Sequence, residues 1–247
     1  MLRVLAFAVA SAPLQGAVAQ ELAVLSAGAV EPGLEAVAEA FRKDTGHEVQ
    51  IRYAAAPALR KALQEGIGAD VLIAPAAVLS DPASAGKLAP EPPVTVGRVG
   101  VGVAVREGLP KPDVSSVDAF KRAVLGADKV IYNRASTGVY VEELVKRLGI
   151  ADEIAGKTER FPDGAAVMER LIGGSGNEIG LGAITEIGLF ARQGLQLAGP
   201  LPADVQNTTA YAATVVAGAR NGDGARTFLR FLQSDRARAL MRARGVE

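Results

Sequence analysis

Arg134, Ser136, Thr137 and Gly138 fall together in the stretch YNRASTGVYVEELVKRLGI, residues 132–150. It begins as the end of an apolar run, KVIY, and continues with Val141, Leu144, Val145 and Leu148 at helical spacing, so a strand hands over to a helix here. A helix start carries unpaired backbone N–H groups and roughly half a positive charge, which attract an anion. Ser136 or Thr137 can cap that start or donate a hydroxyl to a bound oxyanion, and Gly138 allows close approach to the backbone. Arg134 adds a fixed charge in a planar fork suited to a carboxylate. The chemistry this pattern offers is anion recognition. The same residues also suit an ordinary capped helix with a surface arginine.

Other strand-to-helix corners carry small residues. SAGAV (Ser26 to Val30) presents Ala27, Gly28 and Ala29, and YAAAPAL (Tyr53 to Leu59) presents Ala56. EIGLGAITE places Gly182 and Ala183 at a strand end with Thr185 just beyond. A single such corner fits close helix–sheet packing equally well. Several together predict a cleft lined by backbone amides.

Composition narrows the alternatives. The one histidine, His47, sits in DTGHEVQ between a helix and a strand, and there is no cysteine. A Ser-His-Asp triad, a multi-histidine metal site and a thiolate site are all disfavoured by that count, and no cofactor or metal is expected. Lysine plus arginine equal aspartate plus glutamate at 27 each, so no bulk field points to nucleic acid or an acidic membrane.

These residues need elements to position them, and strand-like and helix-like segments alternate along the chain. ELAVL, EVQIRY, DVLIA, RVGVGVAV, KVIY, EIGLGAI and TAYAATVVAG read as strands, separated by helices. VSSVDAFKRAVL opens with Ser115 three residues before Asp118, a capping-box-like start. The expectation is an α/β fold of mostly parallel strands flanked by helices. Proline-rich turns, LAPEPPVTV and GPLPADVQN, precede the two long strand-like runs. Two lobes follow if both runs cross between them: residues 20–97 with 209–247, and residues 98–208, with a cleft between. The first residues, MLRVLAFAVASAPLQGAVAQ, have an early arginine, a short apolar run and small residues before Gln20. Residues 1–19 are therefore read as a cleavable signal peptide, which predicts export to the periplasm.

Taken along the chain, ELAVLSAGAVEPGLEAVAEAFRKDTGHEV, GADVLIAP, STGVYVEELVKRLGI and TAYAATVV resemble successive segments of the periplasmic substrate-binding proteins of the molybdate-binding type. The resemblance implies a type II periplasmic-binding fold, two α/β lobes joined by two crossover strands, closing as a monomer on a small anion for an ABC permease. It implies a ligand contact for Tyr211. Molybdate binders of this family present serine hydroxyls at the first two corners, where this chain has alanines and places Ser26 nearer the strand. With an arginine at the third corner, that departure points from a tetrahedral oxyanion toward an organic carboxylate. VREGLPKPDVSSVDAFKRAVLGADKVIYNRASTGVYVEE and LPADVQN resemble the branch of the family that includes aconitate isomerase. That resemblance implies a tricarboxylate-like ligand, and an isomerase as the alternative to a binding protein. A base would then be required, for which Tyr140, Tyr211 and Glu186 are the candidates.

Overall fold

The computed structural model describes residues 21–66 and 68–247, so the leader read at 1–19 lies outside the described residues. The chain begins with β1 (Leu22–Ala27), α1 (Glu31–Thr45), β2 (Val49–Ala54), α2 (Ala56–Glu65), β3 (Val71–Pro75) and the short α3 (Ala76–Leu79). The long β4 (Val94–Arg106) leads to α4 (Val117–Gly126), β5 (Lys129–Asn133), α5 (Ser136–Arg147) and α6 (Ala151–Ile154). Next come β6 (Thr158–Phe161), α7 (Gly164–Ile172), β7 (Glu178–Ala183), α8 (Ile184–Leu189) and β8 (Leu195–Pro200). The chain closes with β9 (Thr208–Val215), α9 (Gly222–Leu232) and α10 (Asp235–Arg242).

Local sequence accounts for most of these elements. Every residue of β3 is buried, as a continuous apolar run in a covered strand requires. β2 lies at the sheet edge and alternates, with Gln50 and Arg52 outward. In α1, Leu34, Val37 and Phe41 are fully buried at helical spacing, and Gly46 closes the helix in the left-handed region, its N–H donating to Arg42 O. Phe41 meets Phe228 edge-on with ring centres 5.0 Å apart, which ties α1 to α9.

The strands form one curled path in the order β2-β1-β3-β9-β4-β7-β5-β6, with β8 also paired to β4. β1 is parallel to β2 and β3, and β5 is parallel to β6 and β7. The pairings made by β9, β4 and β8 are antiparallel. β4 changes partner midway: Val94–Gly100 pair with β9, while Val101–Ala104 pair with β7. The buried cores divide at the same point. One cluster draws on residues 22–99 and 211–246 plus Ala183, and two others draw on residues 101–205. The return passage runs through Leu201–Asn207, just before β9. There Leu201 N–H donates to Val101 O at 3.0 Å, and the Gln206 amide both accepts from Val101 N–H at 2.9 Å and donates to Val101 O at 3.0 Å.

Two strands were not anticipated from sequence. β6 has four partly buried residues with no alternation. β8 contains Gly199 and Pro200, the opening of a stretch that reads as a turn; a terminal proline is tolerated on an edge strand because it gives up no inner ladder bond. The cap of α4 also differs from expectation. Ser116 accepts from Ala119 N–H, because Asp113 Oδ1 takes both the N–H and the hydroxyl of Ser115.

At the start of β7 the buried Glu178 carboxylate accepts from Arg106 Nη1 at 2.8 Å and Arg170 Nη2 at 3.0 Å. Removing one partner of such a network strands the remaining charge in a poorly solvated site. Glu178→Ala is expected to cost about 3 kcal/mol in urea unfolding; a loss below about 0.5 kcal/mol would show that this network does not hold the second half of the sheet together.

Candidate functional site

A cavity of about 360 Å³ opens where the C-terminal ends of β1, β2, β3 and β5 face helix starts. That volume suits a small ligand. Ala27, Gly28 and Ala29 line it from the β1 corner, Tyr53 and Ala54–Ala56 from the β2 corner, and Asn133, Ser136 and Thr137 from the β5 corner. Asp163, Gly164 and Ala165 contribute the start of α7, Glu186, Leu189 and Phe190 come from α8 and its end, and Tyr211 comes from β9.

Three starts at the cavity lack a cap from their own N-cap residue, while α7, also at the cavity, is capped by Asp163. No side chain caps the turn at Gly28–Val30, the start of α2 or the N-cap of α5. By contrast Ser116, Asn221 and Ser234 cap α4, α9 and α10. At α5 the side chain that intervenes is Asn133, whose Oδ1 accepts from Ala135 N–H at 3.0 Å and Gly138 N–H at 2.9 Å. The N–H groups of Ser136 and Thr137 remain without a protein partner among the described residues. They, with the Ser136 hydroxyl, are available to an acceptor in the cavity.

Of the residues singled out from sequence, Ala27, Gly28, Ala29, Ala56, Ser136, Thr137 and Tyr211 line this one cavity. Arg134, Gly138, Gly182 and Ala183 do not. The Arg134 backbone N–H donates to Phe161 O, extending the strand ladder, while its side chain is exposed and makes no ion pair among the described residues. Gly138 serves packing: a Cβ there would sit 1.7 Å from Asn133 O. Gly182 faces Met168, whose Cε would be 2.6 Å from an added Cβ, and Ala183 is buried in the first core cluster. Ser26 is fully buried and donates to Ala27 O. Tyr140, a candidate base, lies outside the cavity lining and donates its hydroxyl to Val205 O at 2.6 Å.

Sequence reading missed Asn133, Asp163, Glu31 and Tyr53 as lining groups. Asp163 left a signal, an Asp-Gly pair opening a helix; it caps α7 by accepting from Ala166 N–H at 2.9 Å. Asn133 left none, since its role depends on amides two and five residues ahead.

The lining holds three carboxyl groups, Glu31, Asp163 and Glu186, and no lysine or arginine among the described residues. Burial first, then Asp163 and Glu31, against an opposing hydrogen bond with the Ala183 backbone, together push the Glu186 carboxyl up to about 7. Partial burial, with Glu35 nearby, raises Glu31 as well. Burial and then Glu186 raise the Tyr211 phenol, so it stays neutral. Burial does the same for Tyr53, whose hydroxyl donates to Glu35 Oε1 at 2.7 Å. Among the described residues no cluster of three or more histidine, cysteine or acidic side chains could hold a metal ion.

The chain matches the family described as bacterial extracellular solute-binding protein over residues 22–247. It is 30% identical over 245 residues to an aconitate isomerase of a Pseudomonas species, covering 95% of this chain and 91% of that one. It is 27% identical over 239 residues to the molybdate-binding protein ModA of Haemophilus influenzae, covering 91% and 89% of the two chains. Its fold superimposes on the periplasmic molybdate-binding protein of Azotobacter vinelandii with a TM-score of 0.75 at 18% identity, over 92% of this chain and 98% of that one.

The raised Glu186 carboxyl makes stability depend on pH in a defined direction. Folding strengthens its hold on the proton, so its penalty is absent below about 4.5, grows as pH rises toward about 7, and is complete above that. Glu186→Gln is expected to raise the melting temperature by about 3 °C or more at about pH 8 and to change it little at about pH 4.5. Calorimetry at the two pH values checks this; an equal effect at both would mean that Glu186 is not desolvated.

Proposed function

We propose that this chain, which belongs to the bacterial extracellular solute-binding protein family, captures a small organic anion with two or three carboxylates and carries it to an ABC permease. The observation that carries the reading is the set of helix starts at the cavity with an alanine N-cap that caps nothing, at Gly28, Ala56 and Ser136, the last leaving the Ser136 and Thr137 N–H groups open. Adjacent amides at a helix start match the paired oxygens of a carboxylate. Between those anchor points the lining is methyl and ring surface, from Ala54, Ala55, Pro75, Leu189 and Phe190, against which a short carbon skeleton can pack. A tetrahedral oxyanion needs a donor for every oxygen, and alanines occupy the first two corners. The name of the 30% identical relative, an aconitate isomerase, supports a tricarboxylate.

Capture works by hinge closure of two lobes, residues 20–97 with 209–247 and residues 98–208, about the point where β4 changes partner. The protein acts as a monomer in the periplasm after removal of residues 1–19. Arg134, exposed beyond the lining, contributes long-range attraction and no direct contact.

Thermal-shift and calorimetric titration with citrate, cis-aconitate, trans-aconitate and succinate, set against molybdate and sulfate, tests this. A di- or tricarboxylate is expected to raise the melting temperature and the inorganic oxyanions to leave it unchanged. Ser136→Ala is expected to weaken binding roughly five-fold, for one lost hydrogen bond of about 1 kcal/mol. Arg134→Ala is expected to weaken it by less than about three-fold at physiological salt. No shift with any carboxylate would sink the proposal.

A second reading, an isomerase moving the double bond of aconitate, is favoured by one observation: Glu186 lines the cavity with a carboxyl pushed up to about 7. A group balanced there can take a proton from the methylene carbon as the double bond shifts and return one at the former alkene carbon. Proton NMR of cis- and trans-aconitate with the protein decides it. Interconversion slowed about 100-fold or more by Glu186→Gln supports the enzyme; no interconversion dismisses it and leaves capture standing.

A further inference from the structure

The charge on the cavity wall is of the wrong sign for an anion site. Glu31, Asp163 and Glu186 line it, and no cationic side chain among the described residues offsets them. Helix starts supply only partial charges, each equivalent to at most about half a unit. An entering carboxylate therefore meets net repulsion unless one wall carboxyl gives up its charge.

Geometry singles out which one. Asp163 is committed as the cap of α7, its Oδ1 accepting from Ala166 N–H at 2.9 Å. Glu31 stands in the first turn of α1, whose positive end opposes the rise that partial burial and then Glu35 cause. Glu186 is held differently, between the corner at Gly28 and the start of α7 at Gly164. A Cβ added at Gly164 would lie 2.0 Å from its Oε2, and one at Gly28 would lie 3.3 Å from its Oε1. Glycine at both positions leaves the room that this carboxyl fills. The groups facing it are Asp163 from α7, Glu31 from α1, Tyr211 from β9 and the backbone of Ala183. None is a cation. The surface it retains belongs to the cavity it lines.

We infer that Glu186 sets the specificity of the cavity: it meets the bound anion as a neutral carboxylic acid and donates its O–H to a ligand oxygen, so that each anion captured brings one proton in from solution. The inference rests on the capture reading above and adds to it a requirement on the ligand. The solute must present a bare acceptor oxygen toward α8, as a fully ionised carboxylate does. The only bond formed is the O–H on Glu186, made with a solvent proton. Above the pH at which this carboxyl ionises in the empty cavity, about 7, affinity falls by as much as ten-fold per pH unit.

Titration calorimetry of the full mature chain with trans-aconitate and citrate, in buffers of different ionisation heat, counts the protons. At about pH 8 the wild type is expected to take up close to one proton per ligand, because Glu186 is then mostly ionised when free. Glu186→Gln, which offers an N–H donor at every pH, is expected to take up none and to bind with an affinity independent of pH between about 7 and 9. The ligand's own protonation enters both proteins equally. The same proton count in both proteins overturns the inference while leaving capture intact. No heat from either probe at any pH refutes capture, and the coupling with it. Carbon NMR of the glutamate carboxyls in the ligand-free wild type reads the same group directly. A midpoint near 7 supports the inference, and one near 4.5 overturns it whether or not a ligand binds.

Discussion

Backbone N–H groups at a helix start have to be satisfied, by a side chain, by water or by a bound molecule. This chain meets that constraint unevenly. Three helices that start away from the cavity receive serine or asparagine caps, from Ser116, Ser234 and Asn221, and at the cavity Asp163 caps α7. Those at Gly28, Ala56 and Ser136 have alanine at the N-cap and receive no cap from it, although at α5 Asn133 takes the Gly138 amide. Each missing cap forgoes about 1 kcal/mol of helix stability. The same omission leaves oriented donors at the cavity wall before any ligand arrives, so those corners need no local rearrangement to meet one.

The fold sets those donors in place with few contacts. Asn133, the last residue of β5, takes two of the α5 amides on one carboxamide oxygen and so fixes how the helix departs from the strand. Gly138 is the condition for that arrangement, because the helix passes too close to Asn133 O for any side chain. On the other side of the cavity, the Thr185 hydroxyl donates to Ala29 O at 2.6 Å, joining α8 to the first corner. The α8 segment thus touches α1 and the Gly28–Val30 turn, although its buried Ile187 belongs to the third core cluster, in the second half of the sheet. β4 joins the two halves as a single strand with a change of partner at Gly100 and Val101, and the Gln206 amide clips the return passage to the same point.

Much of this was legible in the sequence. Apolar or alternating runs located seven of the nine strands, because a covered strand such as β3 is apolar throughout and an edge strand such as β2 alternates, and small residues at successive corners located the first two sides of the cavity. What was lost depended on orientation. Arg134 has the right type and position along the chain for a ligand contact, but its side chain is exposed while the neighbouring Asn133 and Ser136 line the cavity. Sequence spacing does not tell such neighbours apart. Glycine was ambiguous in the same way: Gly28 lines the cavity, while Gly138 and Gly182 make room for Asn133 and Met168. β6 and β8 were missed because neither carries an alternating pattern.

Glu186 links stability to the proposed recognition and chemistry at one group. A carboxyl enclosed beside Asp163 and Glu31 costs stability at neutral pH, and a glutamine there would avoid the cost while filling nearly the same space. Retaining an acid has a physical use only where the proton moves. A binding protein uses it to admit a charged solute without a fixed cation, whose strong pull would slow release. An isomerase uses it to take a proton from carbon and return it, which requires a carboxyl balanced near the working pH and desolvated when the ligand is present. Both uses need the same enclosure between Gly28 and Gly164, the same absence of a cation and the same neutral phenol at Tyr211. They separate only on where the ligand places a carbon-bound hydrogen relative to Oε1 and Oε2. On the proposed reading, capture and isomerisation therefore differ in where the ligand sits and share the residues that enclose Glu186.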